Sequence, residues 1–156
     1  MNCNESNIFS KWPIVRTFYY SKGTEIYCAP TVDARPAWQH TMRHIALEGR
    51  CFVLSACQFS KEKDYPPEHA VADDSKRDPE NVMIAGGSVI VNPLGEVLAG
   101  PLLGEEGVLV ADLDLDDIPR GKFDLDVVGH YARPDSKSNQ DNCRLSKCSR
   151  CESFPT

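Results

Sequence analysis

Three groups of residues in this chain have the types and spacing to do chemistry. Cys143, Cys148 and Cys151 lie near the carboxyl end, and two thiolates separated by two residues fit two of the four corners of a tetrahedral zinc site. One such pair without a second falls short of a zinc site, so these thiols read as an oxidisable tail rather than as ligands. His40 and His44 stand four apart with Glu48 four further on, which stacks all three on one helical face. Two imidazoles are too few for a metal, and the trio is expected to form a solvated or interface face. Asp112, Asp114, Asp116 and Asp117 make an acidic run, but the glycine and terminal Glu of a calcium loop are missing. Gly86-Gly87 and Gly100-Pro101 lack the Gly-Lys-Ser/Thr ending that cradles phosphate, so they read as turns. No metal and no cofactor are expected.

The remaining cysteines are Cys3, Cys28, Cys51 and Cys57. Seven is an odd number, and Cys28, Cys51 and Cys57 sit inside apolar, strand-like runs where a reduced thiol behaves as a small hydrophobe. Disulfides are therefore not expected. With 41% hydrophobic and 26% charged residues the chain has the composition of an ordinary globular protein. A net charge of −6 argues against nucleic-acid or anionic-membrane partners, which need clustered Lys and Arg. No apolar run approaches the ~18 residues that span a bilayer, and the start is too polar for a signal-peptide core. The expected location is cytoplasmic, and the Asn4-Glu5-Ser6 sequon is then a chance match.

Several elements must position any site. Residues 1–12 show no periodicity and are expected to be a poorly ordered lead-in. Ile14, Val15, Phe18 and Tyr19 recur at helical spacing after Pro13, and Gly23 supplies the stop, which predicts a short helix. Residues 25–29 form a brief β-prone run cut by Pro30, and the loop from Thr31 to Pro36 is a strand-end segment suited to a ligand. Trp38, Met42, Ile45 and Ala46 lie on one side of a helix expected from Ala37 to Glu48. Residues 51–57 are a nearly continuous apolar run, the mark of a strand covered on both faces. Residues 60–81 are charged and proline-containing, a surface excursion without a pattern of its own. Residues 82–85, 88–91 and 96–99 predict strands separated by turns at Gly86-Gly87 and residues 92–95. The alternation of Val108, Val110, Leu113 and Leu115 predicts a further strand over residues 107–115, with Asp116-Asp117 capping a short helix through Phe123. From Asp135 the chain turns polar and is expected to be disordered.

Long runs of this sequence resemble the second half of a plant nitrilase. The likeness is carried by Tyr20 to Thr31, by Trp38 to Gln58, by Lys63-Asp64-Tyr65-Pro66-Pro67, and by Ala85 to Ile90. It continues through Val97 to Pro101 and Phe123 to Pro134. It divides the chain into an unmatched lead-in at 1–12, a partial nitrilase domain at 13–134 and a tail at 135–156. Within the family the sequence is most similar to the plant subgroup acting on β-cyanoalanine, a product of cyanide detoxification. The resemblance implies an α/β chain forming part of an α-β-β-α sandwich, whose subunits pair and extend into spiral filaments.

It also implies the chemistry. A Glu, a Lys and a Cys act together in that family: the thiolate attacks the nitrile carbon, the carboxylate moves protons, and the ammonium stabilises charge on nitrogen. The family reads Cys-Trp-Glu-Asn-x-Met-Pro-Leu-x-Arg, and alignment on Pro13 and Arg16 puts Asn7 at the nucleophile position. An amide cannot supply a thiolate. Cys3 lies four residues before that position and outside the motif, and the family's Glu and Lys fall upstream of the matched part. No catalytic residue is therefore assigned, and the chain is expected to be a truncated domain that is inactive alone.

By resemblance Pro30, Thr31 and Ala34 wall the substrate pocket, and Trp38 opens the helix behind it, although Trp38 also fits a plain core anchor. Cys57 stands where related sequences carry Asn in Ser-Ala-Asn-Gln. The partners implied are a small-molecule nitrile in intact relatives and, through family subunit contacts, another copy or a full-length nitrilase. Two further expectations stay open: a non-catalytic partner that caps nitrilase assemblies, or a gene fragment without function.

Overall fold

Two prolines start the helices that organise the fold, because proline at a first helical turn forfeits no hydrogen bond and presets φ. In the computed structural model, which describes residues 3–5, 12–66 and 78–132, α1 runs Pro13–Ser21 and α2 runs Pro36–Gly49. The first ends where Gly23, at φ 73°, turns the chain, and the second ends at Arg50 in the left-handed conformation at φ 46°. Six strands form one sheet: β1 Cys3–Glu5, β2 Ile26–Cys28, β3 Phe52–Ser55, β4 Phe59–Lys61, β5 Val82–Val91 and β6 Val97–Leu103. Their order is β1-β2-β3-β5-β4, with β6 also on β5. The first three are parallel, with α1 and α2 as the crossovers, and the others pair antiparallel. A third helix, α3, spans Asp117–Asp124.

Alternation along the strands divides the core. Tyr27, Ala29, Val53, Val89 and Val91 face Trp38, Met42, Ile45 and Ala46 of α2 in the larger cluster. Ile26 and Phe52 point to the opposite face and meet Ile118 of α3, with Cys28, Leu54 and Leu113 partly buried beside them. Every core position expected for α2 is buried.

Elsewhere the structure departs from the sequence pattern. On α1 the buried residues are Arg16 and Tyr20, while Ile14 and Phe18 are more than half exposed. The helix is rotated off its apolar stripe because Arg16 Nε donates to Glu48 Oε2 at 2.9 Å and Tyr20 Oη donates to the same oxygen at 3.2 Å. Residues 3–5, inside the expected lead-in, pair with β2 from Cys3↔Ile26 to Glu5↔Cys28. Gly86 and Gly87 make no turn: β5 runs through them as one strand, with both at positive φ and a shifted register against β6. Here glycine is needed, since a Cβ on Gly86 would meet the Leu102 carbonyl oxygen at 2.9 Å. The excursion after residue 60 opens with part of β4 and a single 3-10 turn, Glu62–Asp64. Residues 107–115 form no strand, because nothing among the described residues pairs with them. Asp116 precedes α3 without capping it through its side chain; Asp114 Oδ1 instead accepts from the Asp116 amide at 3.0 Å. Asn7, residues 67–77 and the Cys143, Cys148 and Cys151 tail lie outside the described residues.

Gly49 shows what holds α1 against α2. It is buried, and a Cβ there would overlap the Tyr20 ring. Helix propensity alone would favour Ala at this site by about 1 kcal/mol, whereas overpacking a fixed ring costs about 1–3 kcal/mol. Gly49→Ala is therefore expected to lower stability by about 1 kcal/mol, seen as a lower urea midpoint with unchanged slope.

Candidate functional site

The carboxyl end of β2 opens into a loop that the neighbouring strand fixes rigidly. The Ala29 amide donates to the Leu54 carbonyl and the Thr31 amide to the Ala56 carbonyl, both at 2.8 Å, and Thr31 bridges to Cys57. Two side chains then fold the loop on itself. Thr31 Oγ1 accepts from the Asp33 amide at 2.9 Å, and Asp33 Oδ1 accepts from the Arg35 amide at 3.2 Å. The Arg35 guanidinium closes a two-pronged ion pair on Asp33 at 2.7 and 2.6 Å. Pro36 follows and α2 begins.

Trp38, in the first turn of α2, anchors this corner. Its indole Nε1 donates to Ser55 Oγ at 3.0 Å, and Ser55 Oγ donates to the Ala29 carbonyl at 3.0 Å. Helix, strand and loop are thus joined by one buried hydroxyl. Trp38 is 4% exposed, so the core-anchor role holds, and its remaining edge contributes to a cavity of about 280 Å³. Arg16, Asp33, Arg35, Ala37 and Thr41 complete that lining.

Of the four expected pocket residues, the structure therefore brings Trp38 to this cavity. Thr31 and Ala34 are half-buried in the loop and Pro30 is exposed, none of them on its lining. Sequence reasoning missed Asp33, Arg35 and Arg16. Asp33 and Arg35 carried a signal, opposite charges two apart in a strand-to-helix loop, whereas the partner of Arg16 lies 32 residues away in sequence.

The electrostatics are those of paired charges. Burial opposes the Arg16 charge, but hydrogen bonding and charge from Glu48 outweigh it and raise its pKa above the ordinary value. The hydrogen bond from Arg35 to Asp33, followed by their charge attraction, raises the Arg35 pKa as well. Burial pushes the Tyr20 phenol well up, with the Glu48 charge adding to it. Burial pushes the Cys51 thiol up to about 12, and raises Cys57, where the Asp33 charge adds to the effect. Both thiols are thereby held neutral and poor as nucleophiles. Cys57 instead packs by its backbone, its amide donating to Ser88 Oγ at 3.0 Å and its carbonyl accepting from Ser88 Oγ at 3.1 Å. Cys51 and Cys57 are free thiols.

His40 and His44 are exposed on α2, while Glu48 turns toward α1, so the three do not form a ladder. Among the described residues no group of three His, Cys, Asp or Glu side chains is placed to hold a metal. No described helix is long and apolar enough to cross a membrane. β1 runs parallel to β2, toward the same end of the sheet as the loop.

Because Ser55 Oγ serves both Trp38 and Ala29, Ser55→Ala removes two buried hydrogen bonds at once. The expected cost is about 2 kcal/mol, and chemical denaturation together with Trp fluorescence of the native state reads it.

A carbon-nitrogen hydrolase model matches residues 9–122. An arylacetonitrilase of Trametes versicolor is 80% identical over 123 residues, covering 79% of this chain and 38% of that protein. A bifunctional nitrilase/nitrile hydratase of Nicotiana tabacum is 56% identical over 128 residues, covering 81% of this chain and 37% of its own length. The fungal sequence is thus more similar than this plant one, contrary to the plant affinity expected from the motifs. A carbon-nitrogen hydrolase from Helicobacter pylori superposes with a TM-score of 0.64 at 19% identity, over 85% of this chain and 46% of that one. The chain spans less than two fifths of the length of these two curated relatives, and its layers are those of part of the nitrilase superfamily fold. It belongs to the carbon-nitrogen hydrolase, or nitrilase, family.

Proposed function

We propose that this chain supplies the non-nucleophilic part of a nitrile-hydrolysing site and does not hydrolyse nitriles by itself. What supports this is Asn7, which alignment of the family motif on Pro13 and Arg16 sets at the nucleophile position, two residues before the part that the family model matches. Nitrile hydrolysis needs a thiolate to add to the nitrile carbon and form a thioimidate. A first water adds to the thioimidate; the tetrahedral intermediate then loses ammonia to leave a thioester that a second water hydrolyses to the acid, or it expels the thiolate and releases the amide. An asparagine amide nitrogen has no comparable nucleophilicity. The neutral Cys51 and Cys57 thiols do not replace it. Pro30, Thr31, Ala34 and Trp38 are the proposed wall of the nitrile pocket, held by the bonds from Thr31 and Ser55 to neighbouring backbone.

The 80% identity to an arylacetonitrilase favours an arylacetonitrile over β-cyanoalanine as the nitrile of the complete site. A cytoplasmic setting is part of this proposal, in keeping with the net charge of −6. The test is ammonia release by the homogeneous chain given phenylacetonitrile or β-cyanoalanine. The expected rate equals that of the protein-free blank, and sustained turnover of either nitrile overturns the proposal.

A second role, as an assembly partner of full-length nitrilases, is favoured by α1. Trp12, just before α1, and Ile14 and Phe18 on it are 57–62% exposed apolar side chains. Mixing the chain with a full-length arylacetonitrilase is expected to move it into the enzyme peak on size exclusion, and Phe18→Asp is expected to return it to its own elution volume. Separate elution of the unsubstituted chain excludes this role.

A further inference from the structure

β3 and β4 follow one line along β5 and are interrupted between Ser55 and Phe59. Val53, Leu54 and Ser55 stand opposite Val91, Ile90 and Val89, and Phe59 and Ser60 stand opposite Ala85 and Ile84. Both sets obey the same antiparallel register, and that register sets Cys57 opposite Gly87. The amide and the carbonyl of Cys57 are both bonded toward β5, so in an unbroken ladder Cys57 and Gly87 would exchange two backbone hydrogen bonds. Residues 56–58 instead belong to neither strand. Gly86 and Gly87, at φ 82° and 120°, bulge β5 at this point.

Two side chains take over the bonds that the bulge breaks. Gln39 Nε2, from α2, donates to the Gly87 carbonyl at 2.7 Å. Ser88 Oγ accepts from the Cys57 amide at 3.0 Å and donates to the Cys57 carbonyl at 3.1 Å, doing with one hydroxyl what a strand partner does with its backbone. On its other side this stretch holds the loop after β2. Thr31 bridges to Cys57, and the Ala56 carbonyl accepts from the Thr31 amide. Thr31 Oγ1 in turn holds the Asp33 amide, and Asp33 holds Arg35. Bulges of this kind re-aim the chain beside a site. We infer that Ser88, with Gln39 behind it, is a positioning residue for the Thr31–Arg35 loop and acts on it through Cys57. The positioning stands on these bonds; its meaning for a substrate rests on the reading above, in which the loop walls a nitrile pocket.

Amide hydrogen exchange of the full chain, read residue by residue by NMR, tests it. Ser88→Ala removes the hydroxyl and is expected to speed exchange of the Cys57, Thr31 and Asp33 amides roughly tenfold or more, while the Val53 and Val91 amides of the intact ladder change by under about threefold. Ser88→Thr keeps a hydroxyl at the same position and is expected to restore protection of all three. Gln39→Glu keeps the length of the side chain and removes its donor, and is expected to speed the Cys57 and Thr31 amides by a smaller factor. An equal acceleration of Val53, Val91 and the loop in Ser88→Ala, which a purely structural role produces, overturns the inference. So does unchanged exchange at Thr31 and Asp33, or loop protection that Ser88→Thr fails to restore while Val53 and Val91 stay protected. Nitrile turnover by the chain overturns the reading above and leaves these exchange outcomes as they are, so the two fail separately.

Discussion

The seating of α2 on the sheet is the interaction from which the rest of the structure follows. Met42, Ile45 and Ala46 are fully buried against Tyr27, Val53 and Val91, which are equally inaccessible. Each large apolar side chain in such a layer contributes about 1.5–3 kcal/mol, so this face outweighs any single polar contact. Polar groups then set the helix ends. At the first turn Trp38 reaches Ser55; at the last, Glu48 gathers Arg16 and Tyr20. Beyond it Arg50, in the left-handed conformation, reaches the Pro93 carbonyl at 3.5 Å and Asp124 at 2.8 Å. One guanidinium thus ties α2 to the β5–β6 turn and to α3. Its Nε has no hydrogen-bond partner among the described residues, a desolvation cost of about 1–3 kcal/mol that the surrounding packing must offset.

The two faces of the sheet are unequal, and this asymmetry separates rigid from incomplete regions. The face under α2 is closed, so the Thr31–Arg35 loop leaving it inherits a fixed position through backbone bonds to β3 and its extension. The other face is covered by α3 and the extended segment before it, with Leu113 and Ile118 as its apolar anchors. A superfamily sandwich buries both faces of such a sheet, and the solved relative from Helicobacter pylori extends well beyond the part this chain matches. The fixed loop and the open face are therefore two consequences of one arrangement.

What the sequence made legible follows burial. The α2 pattern was readable because its buried residues are apolar and its exposed residues are not. The α1 pattern misled because its orientation is set by ionic and phenolic contacts to Glu48, and periodicity in hydrophobicity cannot register a buried arginine. Gly86 and Gly87 suggested a turn because positive φ serves turns and bulges alike, and the closeness of the Leu102 carbonyl appears in space alone. The strand expected over residues 107–115 has the right alternation, but a strand is a relation between two segments, and one segment cannot specify its neighbour. At the site, Trp38 stood out as a large residue opening a helix, whereas Arg16 reached the cavity only through tertiary packing.

The same distinction bears on chemistry. Packing can preserve a family's loop, helix and strand register without preserving its reaction, because the first depends on many apolar contacts and the second on one activated atom. This chain keeps 80% identity to an arylacetonitrilase over 123 residues, and its described core offers only thiols of the buried kind. Burial, which makes Cys51 and Cys57 good core residues, raises their pKa values and removes the reactivity a nitrile requires. The forces that stabilise the fold therefore act against any substitute nucleophile arising among these buried thiols, and a reactive thiolate would have to come from an exposed, electropositive position outside this core.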